Sequence, residues 1–299
     1  MCPLLPSNAV DAELLRAWPL PTPAAGDKNA RGSVFVVAGA PQMPGAAILT
    51  ATATLRAGAG KLQIGTCRSV ASHVGAAVLE SLVVALDETP SGAIAAACAP
   101  EIVERANRAD ALVIGPGLVG EHASAALLRA VAASLDTPAV IDAAALACFA
   151  DCAGVIAHLG ARVVLTPHAG EMASMLGCER DAIEANPAEY ARDAAQRYNA
   201  VVVLKGATTY IAEPGGALYC NTRGDVGLAT SGSGDTLAGV AGGILARGAT
   251  PVQAAVWGVY LHAKAGERLA QRVGLGFLAR ELLAEIPPLM RDLSARSAP

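Results

Sequence analysis

The chain has 299 residues, a formal net charge of −4, 53% hydrophobic but only 3% aromatic residues, and 31 glycines. That length supports one large or two small domains with a substantial core, and the acidic balance excludes a basic surface for nucleic acid. Mean hydropathy is positive, yet no uncharged run is long enough to span a membrane.

In chain order, residues 1–30 are Pro-rich and irregular, with one short helix expected over 12–17. The opening Met1–Pro6 lacks the basic and long apolar regions of a secretory signal, so none is expected. A buried strand over 33–39 runs into a glycine turn, and a small-residue helix over 46–57 follows. Strands over 61–66 and 82–86 come next, then a helix over 101–108 and a strand over 111–115 that ends in Gly-Pro-Gly. A helix over 123–134 precedes a strand over 139–141 ending at Asp142, and a strand over 162–166 ends at Pro167-His168. A helix over 189–198 precedes a strand over 201–204 ending at Lys205-Gly206. A hairpin pairs 209–212 with 217–220. Helices over 237–246 and 252–272 and a short one over 278–285 close the chain.

Short apolar strands alternating with helices predict βαβ units, an α/β fold with a mostly parallel sheet. No composition break, linker or repeat divides the chain, which predicts one domain. In such sheets ligands collect beyond the C-terminal strand ends, where Gly39, Gly117, Asp142, His168 and Lys205 fall. The seven cysteines lack CxxC and zinc spacing and read as small core residues in a reducing cytosol.

The stretch most suggestive of chemistry is Leu228-Ala-Thr-Ser-Gly-Ser-Gly-Asp-Thr-Leu-Ala-Gly239. Its glycines let backbone approach a ligand, and apolar spacing from Thr236 onward puts the amides of Gly234 and Asp235 at a helix N-terminus, a natural phosphate cradle. Asp235 either caps that helix, holds a metal or moves a proton. Lys205-Gly-Ala-Thr-Thr209 leaves a strand end and offers charge, amides and hydroxyls to phosphate, with a solvated lysine in a turn as the alternative. Thr166-Pro-His-Ala-Gly-Glu171 also leaves a strand end. His168 is a candidate donor to substrate, and Glu171 either caps a helix over 172–176 or reaches a phosphate-bound Mg²⁺ through water. Gly115-Pro-Gly117 is a glycine turn, Asp142 a metal, substrate or helix-capping residue, and Gly45-Ala-Ala47 a small-residue helix start. His73, His122, His158 and His262 are given no role.

The order of these pieces resembles the ADP-dependent NAD(P)H-hydrate dehydratases of the ribokinase superfamily, from about Lys28 to Pro288. The motifs that carry the likeness are Lys28-Asn-Ala-Arg-Gly32, Gly115-Pro-Gly-Leu118, Val140-Ile-Asp-Ala143, Leu165-Thr-Pro-His-Ala-Gly-Glu-Met172, Lys205-Gly-Ala-Thr-Thr209, Asn221-Thr-Arg-Gly224 and Ala229-Thr-Ser-Gly-Ser-Gly-Asp235. Sugar kinases carry an Asn-x-x-Glu pattern where this chain has Thr-Pro-His-Ala-Gly-Glu-Met.

The resemblance implies a ribokinase-like three-layer sandwich, a mostly parallel central sheet with helices on both faces, in a single domain over 1–299 with its core over 28–288. It implies removal of water from hydrated NADH and NADPH with conversion of ADP to AMP and phosphate. The hydroxyl is phosphorylated first and then lost as phosphate. Carried over by position, Lys205, Gly206, Ala207, Thr208, Thr209 and Gly234 hold the nucleotide. Ala46, Gly117, His168 and Asp235 line the substrate site, and Asp235 is the general base. Mg²⁺ bridges the phosphates, with Glu171 reaching it through water. A cytoplasmic homo-oligomer, commonly a tetramer, without nucleic-acid or membrane partners is implied, and only the dehydratase of the two repair steps.

This sequence departs from the family pattern at Asp225-Val226, where Asn-Pro is usual, at Ser231, where Gly or Ala is usual, and at Ala144, where a second acid is usual. Two other classes fit part of the pattern: a small-molecule kinase of the same superfamily, acting on a vitamin-precursor alcohol, and a non-catalytic nucleotide-binding sensor.

Overall fold

A computed structural model describes residues 8–22 and 28–294. The opening segment on which the signal expectation rests lies outside them. Among the described residues, ten strands form one sheet: β1 (Asn8–Ala9), β2 (Ser33–Val37), β3 (Lys61–Cys67), β4 (Ser81–Leu86), β5 (Ala111–Ile114), β6 (Ala139–Ile141), β7 (Val163–Leu165), β8 (Val201–Leu204), β9 (Thr209–Ala212) and β10 (Leu218–Asn221). Their order is β1-β10-β9-β8-β7-β6-β5-β2-β3-β4. Every pairing from β8 across to β4 is parallel. β9 runs against both its neighbours, and β1 lies parallel to β10.

The helices are α1 (Ala12–Ala17), α2 (Pro44–Arg56), α3 (Ala71–Ala77), α4 (Ala99–Ala106), α5 (Glu121–Ala132), α6 (Cys148–Asp151), α7 (Ala169–Leu176), α8 (Arg180–Ala185), α9 (Pro187–Tyr198), α10 (Ser233–Ala246), α11 (Pro251–Val273) and α12 (Ala279–Ser294). Alternate strand residues point to opposite faces, and the core divides accordingly. Val34, Val36, Val113 and Val201 pack with residues of α1 to α3 and α10 to α12. Phe35, Val37, Ile114 and Val202 pack with residues of α4 to α9. The expected three-layer α/β sandwich is therefore present. It explains why the strands read as unbroken apolar runs: both faces are covered.

The structure departs from the sequence expectations where packing overrides local signals. α12 continues through Pro287 and Pro288, although two prolines ordinarily end a helix. Leu289 and Leu293, only 3% and 5% exposed, hold its last turns on the core. α3, α8 and β1 carry no strong pattern of their own. In α3 only Val74 is buried, and in α8 only Ile183.

α10 is the helix that fixes the site. It lies between α2 and the sheet, and glycines make both contacts. A Cβ at Gly239 would lie 2.3 Å from the Thr50 carbonyl oxygen, and one at Gly243 would lie 2.4 Å from that of Thr54. On the sheet side, a Cβ at Gly242 would lie 2.2 Å from the Val113 side chain. An exposed helical glycine changed to alanine ordinarily gains up to about 1 kcal/mol. Here the sign reverses. Gly239→Ala and Gly243→Ala each lower stability by about 1–3 kcal/mol through overpacking. Gly75→Ala in α3, whose Cβ would have ordinary contacts to Val83, does not. Urea unfolding of the three variants measures this, and stabilisation by either α10 substitution would contradict the packing described.

Candidate active site

α10 starts earlier than the apolar spacing suggests. Gly232 is its N-cap, in the left-handed region at φ +87°, and Ser233, Gly234 and Asp235 form the first turn. A Cβ at Gly232 would lie 2.4 Å from the Leu49 side chain, so the cap is glycine for two reasons: conformation and space. Asp235 is thus the third helical residue and not the cap. Its half-buried carboxylate accepts no hydrogen bond from any described residue, and no side chain caps this helix. Burial raises its pKa from 3.8 to about 6, the nearby Asp142 adds to the rise, and Lys205 opposes it. An unengaged carboxylate with a pKa near neutrality suits a base.

The C-terminal ends of β7 and β8 bring the other charged groups in. The pairing resumes beyond the strands as a bridge between His168, three residues past β7, and Lys205, directly after β8, and the Lys205 amide donates to the Pro167 carbonyl at 2.8 Å. Lys205 is not the solvated turn residue that the sequence alone allows. Its Nζ lies 3.0 Å from Asp142 Oδ1 and 3.7 Å from Glu171 Oε2, with 21% of the side chain exposed. A Cβ at Gly234 would sit 3.6 Å from that Nζ, so the ammonium stands at the first turn of α10. Burial works against its charge, but Asp142 and Glu171 outweigh burial and raise its pKa.

Asp142 begins the 3-10 turn Ala143–Ala147 but makes no side-chain cap there. Its Oδ1 instead accepts from Lys205 and, at 2.7 Å, from the Thr166 hydroxyl. The residue is 2% exposed. The backbone turns at once at Ala143, where φ is +52°, a conformation that costs a residue with a Cβ and recurs at functional sites.

His168 and Glu171 cap α7 reciprocally. His168 Nδ1 accepts from the amides of Gly170 (3.0 Å) and Glu171 (3.2 Å), and Glu171 Oε2 accepts from the His168 amide (2.7 Å). The capping alternative for Glu171 is realised, on a helix that starts at Ala169. With Nδ1 accepting, the proton of a neutral His168 ring sits on Nε2, 3.5 Å from Glu171 Oε1. The ring is 58% exposed, so that proton can be offered to a ligand.

Gly117 and Ala46 meet each other. Gly117 has φ +65°, and a Cβ there would lie 2.4 Å from Ala46 Cβ. The Gly39 amide donates to the Pro116 carbonyl at 2.9 Å, tying the loops after β2 and β5 together. Gly115 links this pair to the charged group, since a Cβ there would lie 1.8 Å from the Asp142 carbonyl oxygen. Gly206 and Ala207 are exposed beyond β8, and Thr208 and Thr209 are partly so. Thr209 Oγ1 donates to the Gly206 carbonyl at 3.4 Å.

Three contributors escape the sequence reading. Thr166 supports Asp142. Asp225 accepts from the Gly227 amide at 2.8 Å and caps the turn Val226–Leu228, so the departure from Asn-Pro leaves an ordered loop. His262, given no role above, is partly buried on α11. Its Nε2 lies 2.9 Å from Ser233 Oγ and 3.0 Å from the Ser233 carbonyl. Burial pushes its pKa down to about 4, so a neutral ring pins the first turn of α10. No spacing in the sequence signals a contact between helices 29 residues apart.

The arrangement therefore combines helix-terminal amides, a fixed cation and an unengaged base, the set required to receive a phosphoryl group beside a hydroxyl. Among the described residues no three His, Cys, Asp or Glu side chains are grouped to hold a metal ion.

Known proteins resemble this chain in sequence and in fold. The family model described as NAD(P)H-hydrate dehydratase matches residues 34–288. An ADP-dependent (S)-NAD(P)H-hydrate dehydratase from Xanthomonas campestris pv. campestris is 46% identical, with 96% of this chain and 97% of the relative covered. The crystal structure of an ADP/ATP-dependent NAD(P)H-hydrate dehydratase from Bacillus subtilis, co-crystallised with ATP/Mg²⁺, aligns with a TM-score of 0.80 at 29% identity, covering 97% of this chain and 99% of that one. A ribokinase-like superfamily protein from Enterococcus faecalis V583 has the same fold, with a TM-score of 0.81 at 24% identity and 96% of each chain covered. The chain belongs to the NAD(P)H-hydrate dehydratase family.

Proposed function

We propose that this protein carries out the ADP-dependent dehydration of hydrated NADH and NADPH, in the S form, to NADH and NADPH, with release of AMP and phosphate. The observation that carries this reading is the unengaged Asp235 carboxylate, with a pKa of about 6, in the first turn of α10 beside Lys205. Family membership supports the reaction, and the site's geometry supports the roles proposed for its residues.

Hydroxide is a poor leaving group and phosphate a good one. Asp235 accepts the proton of the substrate hydroxyl, and the freed oxygen takes the terminal phosphoryl group of ADP as AMP leaves. Loss of that phosphate and of the neighbouring ring proton restores the nicotinamide double bond. The Gly234 amide and the Lys205 ammonium face the negative charge of the transferring group. The segment Lys205, Gly206, Ala207, Thr208 and Thr209 binds the rest of the nucleotide with its amides and hydroxyls. His168 offers Nε2–H to the substrate, and Gly117 against Ala46 forms a wall without side chains where the ring approaches.

Mg²⁺ fits only as a companion of the nucleotide. Asp142 is committed to Lys205 and Thr166, which leaves Glu171 to reach the ion through water, and phosphate oxygens to supply the remaining ligands. A Mg²⁺ ion held there would supply neutralisation of phosphate charge.

The same reading takes residues 1–299 as one domain with its core over 28–288, placed in the cytoplasm and assembled as a homotetramer. The oligomer is supported by exposed apolar side chains such as Leu79, Leu82 and Leu275. The partners are small molecules, without nucleic acid or membrane. No helix among the described residues is long and apolar enough to cross a membrane.

Asp235→Asn lowers kcat for hydrated NADH with ADP and Mg²⁺ by about 10²–10⁴, the usual share of a general base. Recovery of NADH absorbance reads this, and a variant as active as wild type would defeat the assignment. A stable phosphorylated product in place of NADH would indicate the kinase instead. In the wild type, kcat/KM falls about tenfold per pH unit below about pH 6 and levels off above it, as a base must be ionised. The linkage sign follows from the raised pKa. The stabilising contribution is complete below pH 3.8 and is lost as pH rises through about 6. Asp235→Asn therefore raises stability at pH 7 by about 1–2 kcal/mol while activity falls, which thermal unfolding reads. Lys205→Ala weakens ADP binding at least about tenfold, the order expected of one charged phosphate contact, by calorimetric titration. Unchanged affinity would remove Lys205 from the nucleotide site.

A further inference from the structure

A cavity of about 680 Å³ adjoins the catalytic crevice between α5, the turn Ala143–Ala147 and α7. His168 and Glu171 form its inner rim, Ala126 and Arg129 of α5 one wall, and Ala144 and Ala147 another. The mechanism above uses only the rim. The volume lies within the roughly 300–1,000 Å³ of small-molecule sites.

The reading above gives the enzyme two nucleotide-containing substrates. ADP takes the side of β8 and β9, where Lys205 to Thr209 lie. The reacting nicotinamide must meet Asp235. A dinucleotide carries a second nucleotide joined through a pyrophosphate, and this half has to leave the crevice on the other side, toward β5, β6 and β7. The cavity starts there, at the same Glu171 whose Oε2 is 3.7 Å from Lys205 Nζ. The strained Ala143 couples the two regions: Asp142 on one side of it pairs with Lys205, and Ala144 on the other lines the cavity. The alanine walls suit the flat apolar faces of a purine and a ribose. Arg129 contacts the Cys148 thiol and lies 3.8 Å from Asp151. Its side chain is still 46% exposed, so the fork keeps donors on its open side that can meet a phosphate.

We propose that this cavity binds the adenosine-phosphate half of the hydrated dinucleotide, with Arg129 meeting one of its phosphates. The proposal rests on the dehydratase reading. Its test compares hydrated NADH, hydrated NADPH and hydrated reduced nicotinamide mononucleotide, which lacks that half, on wild type, Ala126→Trp and Arg129→Ala. Wild type should turn over the mononucleotide hydrate about a hundredfold less efficiently than either dinucleotide, the loss expected when remote binding energy is removed. Ala126→Trp, which fills the cavity, should raise KM for both dinucleotide hydrates about tenfold and leave the KM values of the mononucleotide hydrate and of ADP unchanged. Arg129→Ala should weaken hydrated NADPH alone if its partner is the ribose phosphate, or both dinucleotides equally if it is the pyrophosphate. Equal efficiency of mononucleotide and dinucleotide hydrates on wild type would overturn the cavity assignment and leave the dehydratase reading standing. So would an Ala126→Trp variant with unchanged KM for all three. Turnover of no hydrate by wild type would instead overturn the dehydratase reading itself.

Discussion

A buried cation beside the positive end of a helix is the constraint on which the site depends. Lys205 Nζ stands at the first turn of α10, where the helix dipole disfavours it, and burial disfavours it further. Asp142 and Glu171 make the position tenable, at 3.0 and 3.7 Å. Removing one partner of such a pair leaves an uncompensated charge, at a cost of about 3–5 kcal/mol. The arrangement also does something that a solvated lysine would not. It keeps one ammonium and a row of amides facing the same point before any ligand arrives, so little reorganisation is needed when a phosphate enters.

The fold is arranged to hold that point still. Glycines let α10 press against the α2 backbone on one side and the Val113 side chain of β5 on the other, so its axis cannot drift without displacing both. Its N-terminus is fixed separately, by the glycine cap at 232 and by His262, which reaches Ser233 from α11. Lys205 and His168 are placed by the sheet, bridged to each other just past the ends of β8 and β7. Helix and sheet are each rigid, and the reacting groups stand where the two meet. This is the usual crevice of a parallel α/β sheet.

This division explains what could be read from sequence. The inner strands were legible because both faces are buried, so 111–115 or 201–204 could hardly be anything but apolar and short. Lys205, His168 and Asp235 were legible because each follows a strand or a glycine turn, and the topology then gathers them. The failures are contacts without a local signature. His262 looks like any helical histidine until α11 packs beside α10. Asp142 read as a metal, substrate or helix-capping residue alike, and only the fold brings Thr166 and Lys205 to its oxygen. α12 shows the converse: the proline signal was real, but the burial of Leu289 and Leu293 overrode it.

Three carboxylates, Asp142, Glu171 and Asp235, act on one lysine, and their surroundings set Asp142 and Asp235 apart. Asp142 is almost fully buried and receives hydrogen bonds from a hydroxyl and an ammonium. Both donors sit on Oδ1 and tie the carboxylate to Thr166 and Lys205. Asp235 is half-buried, receives none, and has Asp142 for a neighbour of like charge. The first carboxylate therefore acts as an anchor that keeps Lys205 charged and in place. Asp235 is left without a donor, which is why it, and not Asp142, is the carboxylate proposed as the base.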